Sequence, residues 1–252
     1  MNKFLKNVIF YAAIAAIWLI VVRMRVWPTY VVPAPHDVLQ TMHDGFKDDS
    51  FWIAIRVSLR RLAIGYGIAV VLGGVLGLAI ASSRFLDDTL GRLLVGLQSP
   101  PSACWLPLAI LWFGLNESAI LFVVVMGSFL SIAISVKASL QQVPQAFRMV
   151  GRNLGAQGWR QFRYVLLPAS LPHLISGLKQ GWAFAWHALI TAEMLYISLG
   201  LGQLLMAGRD LNDMSLVAAV LLIIIAIGWT VEYVLFRNVE RSLQRRWGLL
   251  PA

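Results

Sequence analysis

The chain has 252 residues, of which 59% are hydrophobic and only 13% are charged, and its formal net charge is +9. A soluble domain carries about 25% charged residues, so this composition excludes an ordinary soluble protein and predicts an integral membrane protein. Membrane proteins place Lys and Arg in their cytoplasmic loops, so the positive charge does not indicate a nucleic-acid partner. The single cysteine, Cys104, excludes an intramolecular disulfide and a multi-cysteine metal site.

Six apolar segments predict six transmembrane helices, because a span needs about 20 mainly apolar residues. The first has a basic start and a long apolar run, which favours a retained span over a cleaved signal peptide. Most of the 21 Lys and Arg residues lie on one side if both termini are cytoplasmic, which predicts that orientation. A short external helix is expected to begin at Pro35. The predicted spans are about 8–22, 62–82, 93–114, 118–136, 170–198 and 215–236.

The second span carries a stripe of small residues at four-residue spacing: Ala69, Gly73, Gly77 and Ala81. Small residues let helices approach closely in lipid, so the stripe predicts a helix–helix contact. We expect two copies of the chain to pack through their spans. Replacing both glycines of the stripe with leucine is expected to weaken that assembly.

The third span contains Pro100 and Pro101, which must break the helix because each proline lacks a backbone donor and clashes with the preceding turn. Transporters use broken helices to present polar groups to a substrate. A simple proline kink is the alternative. On the first reading, Gln98, Ser99 and Ser102 are candidate contacts in a translocation pathway.

The fifth span contains Lys179, Trp186 and Glu193 at seven-residue spacing, which places them on one helical stripe. Charges inside a span are costly and call for a reason. The stripe is either part of the pathway, or Lys179 reaches the membrane surface with its long side chain while Glu193 caps a neighbouring helix. His187 is expected to be a hydrogen-bonded packing residue.

The loop between the fourth and fifth spans, about 141–168, is the longest predicted cytoplasmic loop. Pro144 predicts the start of one helix, Gly155 to Gly158 a break, and Trp159 the start of a second short helix that runs into Pro168. Apolar side chains lie beside arginines in both helices. That amphipathic pattern suits either the lipid headgroup layer or a groove on a protein partner.

The stretch "RNLGAQGWRQFRYVLLPASLP" resembles the cytoplasmic loop motif of ABC-transporter permeases that are served by an external binding protein. Gly155 and the run 165–168 match the motif, whereas Met149, Val150 and Gly151 stand where the motif has Glu-Ala-Ala. The acidic residue is therefore missing here. Segments 58–87, 100–119 and 192–205 resemble the nitrate, sulfonate and taurine branch, so the resemblance covers nearly the whole chain.

The resemblance implies an all-α permease of the type I-like importer kind, with residues 1–252 as one transmembrane domain in a bacterial inner membrane. Its expected partners are membrane lipid, a second, identical permease copy, two ATP-binding-cassette ATPases and an external binding protein. The chain contains no phosphate-loop motif, so we expect ATP and Mg²⁺ on the partner ATPase and no cofactor here. The substrate stays open among nitrate, sulfonate, taurine, bicarbonate and an organic precursor. A stand-alone secondary carrier or channel is the alternative.

The resemblance also implies roles for individual residues. Glu193 is expected to act in a gate or in packing, and Glu232 is expected to pair with a basic group near the inner surface. The loop's short helix would sit in a groove of the ATPase and couple ATP hydrolysis to movement of the spans. The implied coupling residues are Gly155, Ala156, Trp159, Arg160, Phe162, Arg163 and Pro168.

Overall fold

The computed structural model describes residues 3–24, 28, 31–195 and 198–246, and every regular element within them is a helix. The all-α fold predicted from the sequence is therefore confirmed. We number the helices in chain order: α1 (Lys3–Arg23), α2 (Pro35–Lys47), α3 (Ser50–Ser82), α4 (Arg84–Leu97), α5 (Ser102–Phe113), α6 (Glu117–Gln141), α7 (Gln145–Asn153), α8 (159–195), α9 (Leu201–Asp210) and α10 (214–246).

Among the described residues, α3, α6 and α10 are each long and apolar enough to cross a membrane. The pair α4 and α5 makes a fourth span if the two bent helices are counted together. The first predicted span lies within α1, and the fifth overlaps α8. Neither of these helices is both long enough and apolar enough, over its described residues, to count as a membrane span by length and composition. Residues 196–197, near the end of the fifth predicted span, lie outside the described residues.

Helix α2 begins where the sequence predicts, whereas α3 begins earlier than predicted. Helix α2 begins at Pro35 as predicted, since the fixed φ of proline suits the first helical turn and its missing donor costs nothing there. Helix α3 begins at Ser50, well before the predicted start at residue 62. Hydropathy placed the boundary after Arg56, Arg60 and Arg61, but these arginines lie within the helix.

The small-residue stripe of α3 is the place where α6 packs. A Cβ added at Gly73 would lie 2.8 Å from the carbonyl oxygen of Phe129, and one at Gly77 would lie 2.6 Å from that of Ala133. The predicted helix–helix contact is thus confirmed, but it joins two helices of one chain. The expectation that the stripe supports assembly of two copies is therefore wrong: it is filled by α6.

Helix α6 is equally close to α8. A Cβ added at Gly177 would overlap Cβ of Ser135, and one at Gly181 would lie 2.5 Å from Cγ1 of Ile132. Since lipid offers no hydrophobic gain for helix association, such close approach provides the dispersion contacts that hold membrane helices together. Helices α3, α6 and α8 therefore form the centre of the fold.

The third span is broken as predicted. Helices α4 and α5 meet at an angle of 97° on either side of Pro100 and Pro101. Helix α5 ends at Gly114, whose φ of +74° favours glycine. Asn116 then caps α6 by accepting a hydrogen bond from the N–H of Ser118 at 2.8 Å.

The loop between α6 and α8 differs from its prediction at one point. Helix α7 follows Pro144 as expected, but the second helix does not end at Pro168: α8 continues to Leu195 without a break. The reason is a π-helical turn, Phe162–Leu166, where the N–H of Leu167 donates to the carbonyl of Phe162. This wider turn shifts the hydrogen-bond register ahead of the proline, so its missing donor does not end the helix.

Candidate functional site

A cavity of about 390 Å³ lies at the break between α4 and α5. Three predicted pathway residues, Gln98, Ser99 and Ser102, contribute to its wall, together with Trp105 and with Phe184 of α8. Among the residues that the structure describes, no charged side chain lines it. The wall therefore offers amide and hydroxyl groups in an otherwise apolar setting, which is the usual composition of a small-molecule site.

The cavity depends on one close approach between α6 and its neighbours. A Cβ added at Gly127 would lie 2.7 Å from Cβ of Ala188 and 3.4 Å from Cβ of Ser102. The start of α5 therefore reaches the groove between α6 and α8. The proline break lets the chain turn at this groove, because a continuous helix could not place Ser102 in it.

The second group of predicted pathway residues lies elsewhere. Lys179 Nζ is 2.8 Å from Glu232 Oε1, which forms the ion pair expected for Glu232 and joins α8 to α10. Trp186 is buried and stacks on Trp182, with ring centroids 6.0 Å apart. Glu193 is fully buried. None of the three stripe residues lines the cavity, so the structure does not bring the two predicted groups together.

Glu193 accepts hydrogen bonds from three groups. Ser58 Oγ lies 2.7 Å and 2.9 Å from its two carboxylate oxygens, and Arg61 Nη1 lies 3.0 Å from Oε1. The N–H of Gly202 donates to Oε2 at 3.1 Å, while the N–H of Leu201 donates to Ser58 Oγ at 2.9 Å. These two N–H groups belong to the first turn of α9, so Glu193 and Ser58 together cap that helix.

The glycines beside Glu193 have no room for a side chain. A Cβ added at Gly200 would lie 2.5 Å from Cδ of Glu193, and one at Gly202 would lie 2.6 Å from the carbonyl oxygen of Ile190. A buried carboxylate needs this close set of donors, because removing a charge from water without partners is costly. The segment 192–205, which resembles the nitrate, sulfonate and taurine branch, thus has a physical basis: its glycines let the backbone wrap the Glu193 carboxylate.

Arg61 is a member of this buried network that the sequence did not predict. Its side chain is only 5% exposed and contacts Glu193, the carbonyl of Leu199 at 2.6 Å, and Glu117 at 3.1 Å. The sequence placed it among the charges outside the second span. The available signal was Glu193 itself, since a buried carboxylate requires a cation and Arg61 lies at the corresponding end of a neighbouring span.

The loop between α7 and α8 turns on two glycines. Gly155 has φ +78° and Gly158 has φ +55°, and a Cβ at either position would meet nothing within 4 Å. These glycines are therefore required by conformation and not by crowding. The N–H of Ala156 donates to the carbonyl of Gly151 at 2.8 Å, which closes the end of α7.

The loop presents a band of exposed apolar side chains. Leu154 is 81% exposed and Trp159 is 73% exposed, whereas Phe162 is partly buried beneath the Trp159 ring at a centroid distance of 5.2 Å. Arg160 and Arg163 are exposed, while Ala156 and Pro168 are half-buried. The remaining exposed members of the band are Phe147, Met149 and Val150.

The loop is held to the bundle by a different arginine. Arg148 Nη2 donates to the carbonyl of Leu140 at 2.8 Å, and Gln161 Nε2 donates to the carbonyl of Arg148 at 3.1 Å. A Cβ added at Gly151 would lie 2.8 Å from Cγ2 of Val165, so α7 rests directly on the first turns of α8. A force on α7 therefore acts on α8.

Comparison with known proteins identifies relatives over most of the chain. Residues 69–245 match the family described as binding-protein-dependent transport system inner membrane component. The chain is 32% identical to the nitrate import permease protein NrtB of Synechocystis sp. over 206 residues, 78% of this chain and 74% of the relative. It is 27% identical to the taurine transport system permease protein TauC of Escherichia coli over 240 residues, 93% of this chain and 86% of the relative.

Solved structures share the fold. The inward-facing MetNI methionine ABC transporter superposes with a TM-score of 0.64 at 18% identity, covering 76% of this chain and 96% of that one. An amino acid ABC transporter superposes with a TM-score of 0.62 at 18% identity, covering 81% and 96%. At this identity the likeness concerns the helical architecture alone.

Proposed function

We propose that this chain, which belongs to the family of binding-protein-dependent transport system inner membrane components and is the permease subunit of an ABC importer, carries a small oxyanion or sulfonate. The observation that carries the proposal is the cavity at the proline break. Its lining includes the amide of Gln98 and the hydroxyls of Ser99 and Ser102, and no carboxylate within the described part of the chain lies there to repel an anion. Two relatives are named for nitrate and for taurine, an inorganic oxyanion and a sulfonate.

The proposed complex contains two copies of this permease, two ATPase subunits and an external binding protein, in a bacterial inner membrane. ATP and Mg²⁺ bind the ATPases, so the chain supplies the pathway and not the hydrolysis. Both termini and the loop 141–168 lie in the cytoplasm, because most of the basic residues then fall inside. The end of the bundle that holds Glu193 is in that case the outer end.

The loop is the proposed coupler between the ATPases and the pathway. Its exposed apolar band offers anchors for a protein groove, and exposed aromatic side chains are frequent anchors at protein interfaces. Since α7 rests on the start of α8, closure of the ATPases would displace α8 along its length. That helix carries Phe184 on the cavity wall and Glu193 beyond it.

Reconstitution tests the proposal. The permease, its ATPase and its binding protein would be placed in proteoliposomes, and uptake of nitrate, taurine and a cationic control solute measured with and without ATP. We expect ATP-dependent uptake of an anion, and about a tenfold loss in Ser102→Ala because a hydrogen bond to a charged group is removed. Uptake without ATP would support a secondary carrier or channel, and uptake of the cation alone would contradict the substrate class.

A further inference from the structure

Arg61 joins two carboxylates that differ in their surroundings. Glu193 has no exposed surface, whereas the side chain of Glu117 is 60% exposed. We propose that the Arg61–Glu117 ion pair is a releasable pin that holds the outer end of α5 in place, and that the cavity at the proline break opens toward that end when the pin releases. The name "pin" refers to these two side chains only.

The other contacts of Arg61 are fixed. Glu193 is enclosed by Ser58, the first turn of α9 and two glycines that approach its carboxylate within 2.6 Å of an added Cβ. Arg61 therefore keeps its bonds to Glu193 and to the carbonyl of Leu199 whether or not Glu117 is present. Release of Glu117 leaves no buried charge without a partner, which is the condition for an ion pair that can open at low cost.

Glu117 is well placed to control α5. It is the first residue of α6, and the short connection 114–116 joins it to the end of α5 at Phe113. The other end of α5 carries Ser102 and Trp105 on the cavity wall. A contact that fixes Glu117 therefore fixes one end of the segment whose other end shapes the cavity.

Helix α5 is packed on one side only. Within Leu106–Phe113 only Leu106 and Ala109 are buried, and Leu111 is 78% exposed. At its end, Trp112 and Phe113 contact the ring of Phe122 on α6, with centroid distances of 5.6 Å and 5.4 Å. The end of α5 is therefore tied to the first turns of α6, which also carry Glu117. The pin acts at this end.

A single reporter thiol tests the pin. The chain has one cysteine, so Cys104→Ser combined with Ser102→Cys leaves one thiol, on the cavity wall. The purified complex would be placed in nanodiscs, where a polar maleimide reaches both faces, and the labelling rate measured without substrate. We expect Glu117→Gln to raise the rate about two- to fivefold, the shift expected for an ion pair whose carboxylate is open to solvent.

The control removes another carboxylate–arginine ion pair, one that is exposed on both sides. Asp88→Asn breaks the exposed pair with Arg92, 3.4 Å apart, on α4. If Glu117→Gln and Asp88→Asn label at the same rate, the proposal is overturned. It is also overturned if Glu117→Gln lowers the unfolding temperature as much as Glu193→Gln does, because the pair would then be structural. The test uses no substrate, so an error in the proposed substrate class leaves its result unchanged.

Discussion

Glu193, on α8, is a carboxylate without exposed surface, and it is stable there because two other helices supply its donors. Ser58 and Arg61 belong to α3, and the N–H of Gly202 belongs to α9. A fourth element, α6, joins through Glu117. Such a network costs the fold little free energy when every group is paired. It destabilises the fold strongly when one partner is missing, since the remaining charge stays buried. The two carboxylates bound to Arg61 should therefore respond very differently to the same substitution.

We expect Glu193→Gln to lower the free energy of unfolding by about 3 kcal/mol, because it removes one partner of a buried ion pair. Glu117→Gln should lower it by less than about 1 kcal/mol, since that carboxylate is largely exposed to solvent. Chemical unfolding of the purified permease in detergent, followed by tryptophan fluorescence, measures both. Equal effects of the two substitutions would contradict the assignment of Glu193 as the buried anchor.

At the scale of whole elements, the parts that the sequence predicts well depend on neighbouring residues only. The start of α2 at Pro35, the break at Pro100 and Pro101, and the turn at Gly155 follow from proline and glycine chemistry. The cavity residues at the break were also predictable, because a broken helix in a membrane must be covered or line a cavity.

The parts that were missed depend on contacts between distant residues. Helix α9 is capped by Ser58 and Glu193, which no local pattern indicates. The role of Arg61 depends on a residue more than a hundred positions later in the chain. The partner of the small-residue stripe could not be predicted either, because spacing indicates close packing without saying which helix fills it.

The stripe gives a test with a matched control on the same helix. We expect Gly77→Ala to destabilise the permease by about 1–3 kcal/mol, because the new Cβ would overlap the backbone of α6, which cannot move aside easily. A Cβ at Gly74 meets nothing within 4 Å, so Gly74→Ala should be neutral or slightly stabilising. The unfolding temperatures of the two variants in detergent test this difference in stability. If the two variants unfold at the same temperature, α3 and α6 do not pack as described.

Across the whole molecule, the loop and the pin lie at opposite ends of the same central helices. Helix α8 begins on the loop beneath α7 and ends near Glu193, with Phe184 on the cavity wall between them. Helix α6 begins at Glu117 and ends at Gln141, next to the loop. An ATPase that moved the loop would therefore act on both the cavity and the pin through continuous helices.

In this arrangement, the loop's apolar band is the surface that would bind the ATPase. Leu154 and Trp159 are its most exposed members, whereas Phe162 packs against the cluster of Ile132, Val136 and Leu140 and contributes to the fold itself. We expect Leu154→Ala with Trp159→Ala to reduce co-purification of the ATPase at least about tenfold, since exposed aromatic and apolar anchors carry much of an interface's binding energy. The permease should remain inserted and unfold at an unchanged temperature.

The matched control is Phe85→Ala on α4. Phe85 is 74% exposed and lies at the same end of the bundle, since only Ser83 separates α4 from Ser82, which shares a cavity wall with Trp159. Its replacement removes comparable apolar surface from that end without touching the loop. If the band instead rests in the lipid headgroups, the double loop variant and Phe85→Ala should bind the ATPase equally well and show the same substrate-stimulated ATP hydrolysis. Stoichiometry and hydrolysis rate, measured on one preparation of each variant, separate a protein groove from a lipid surface.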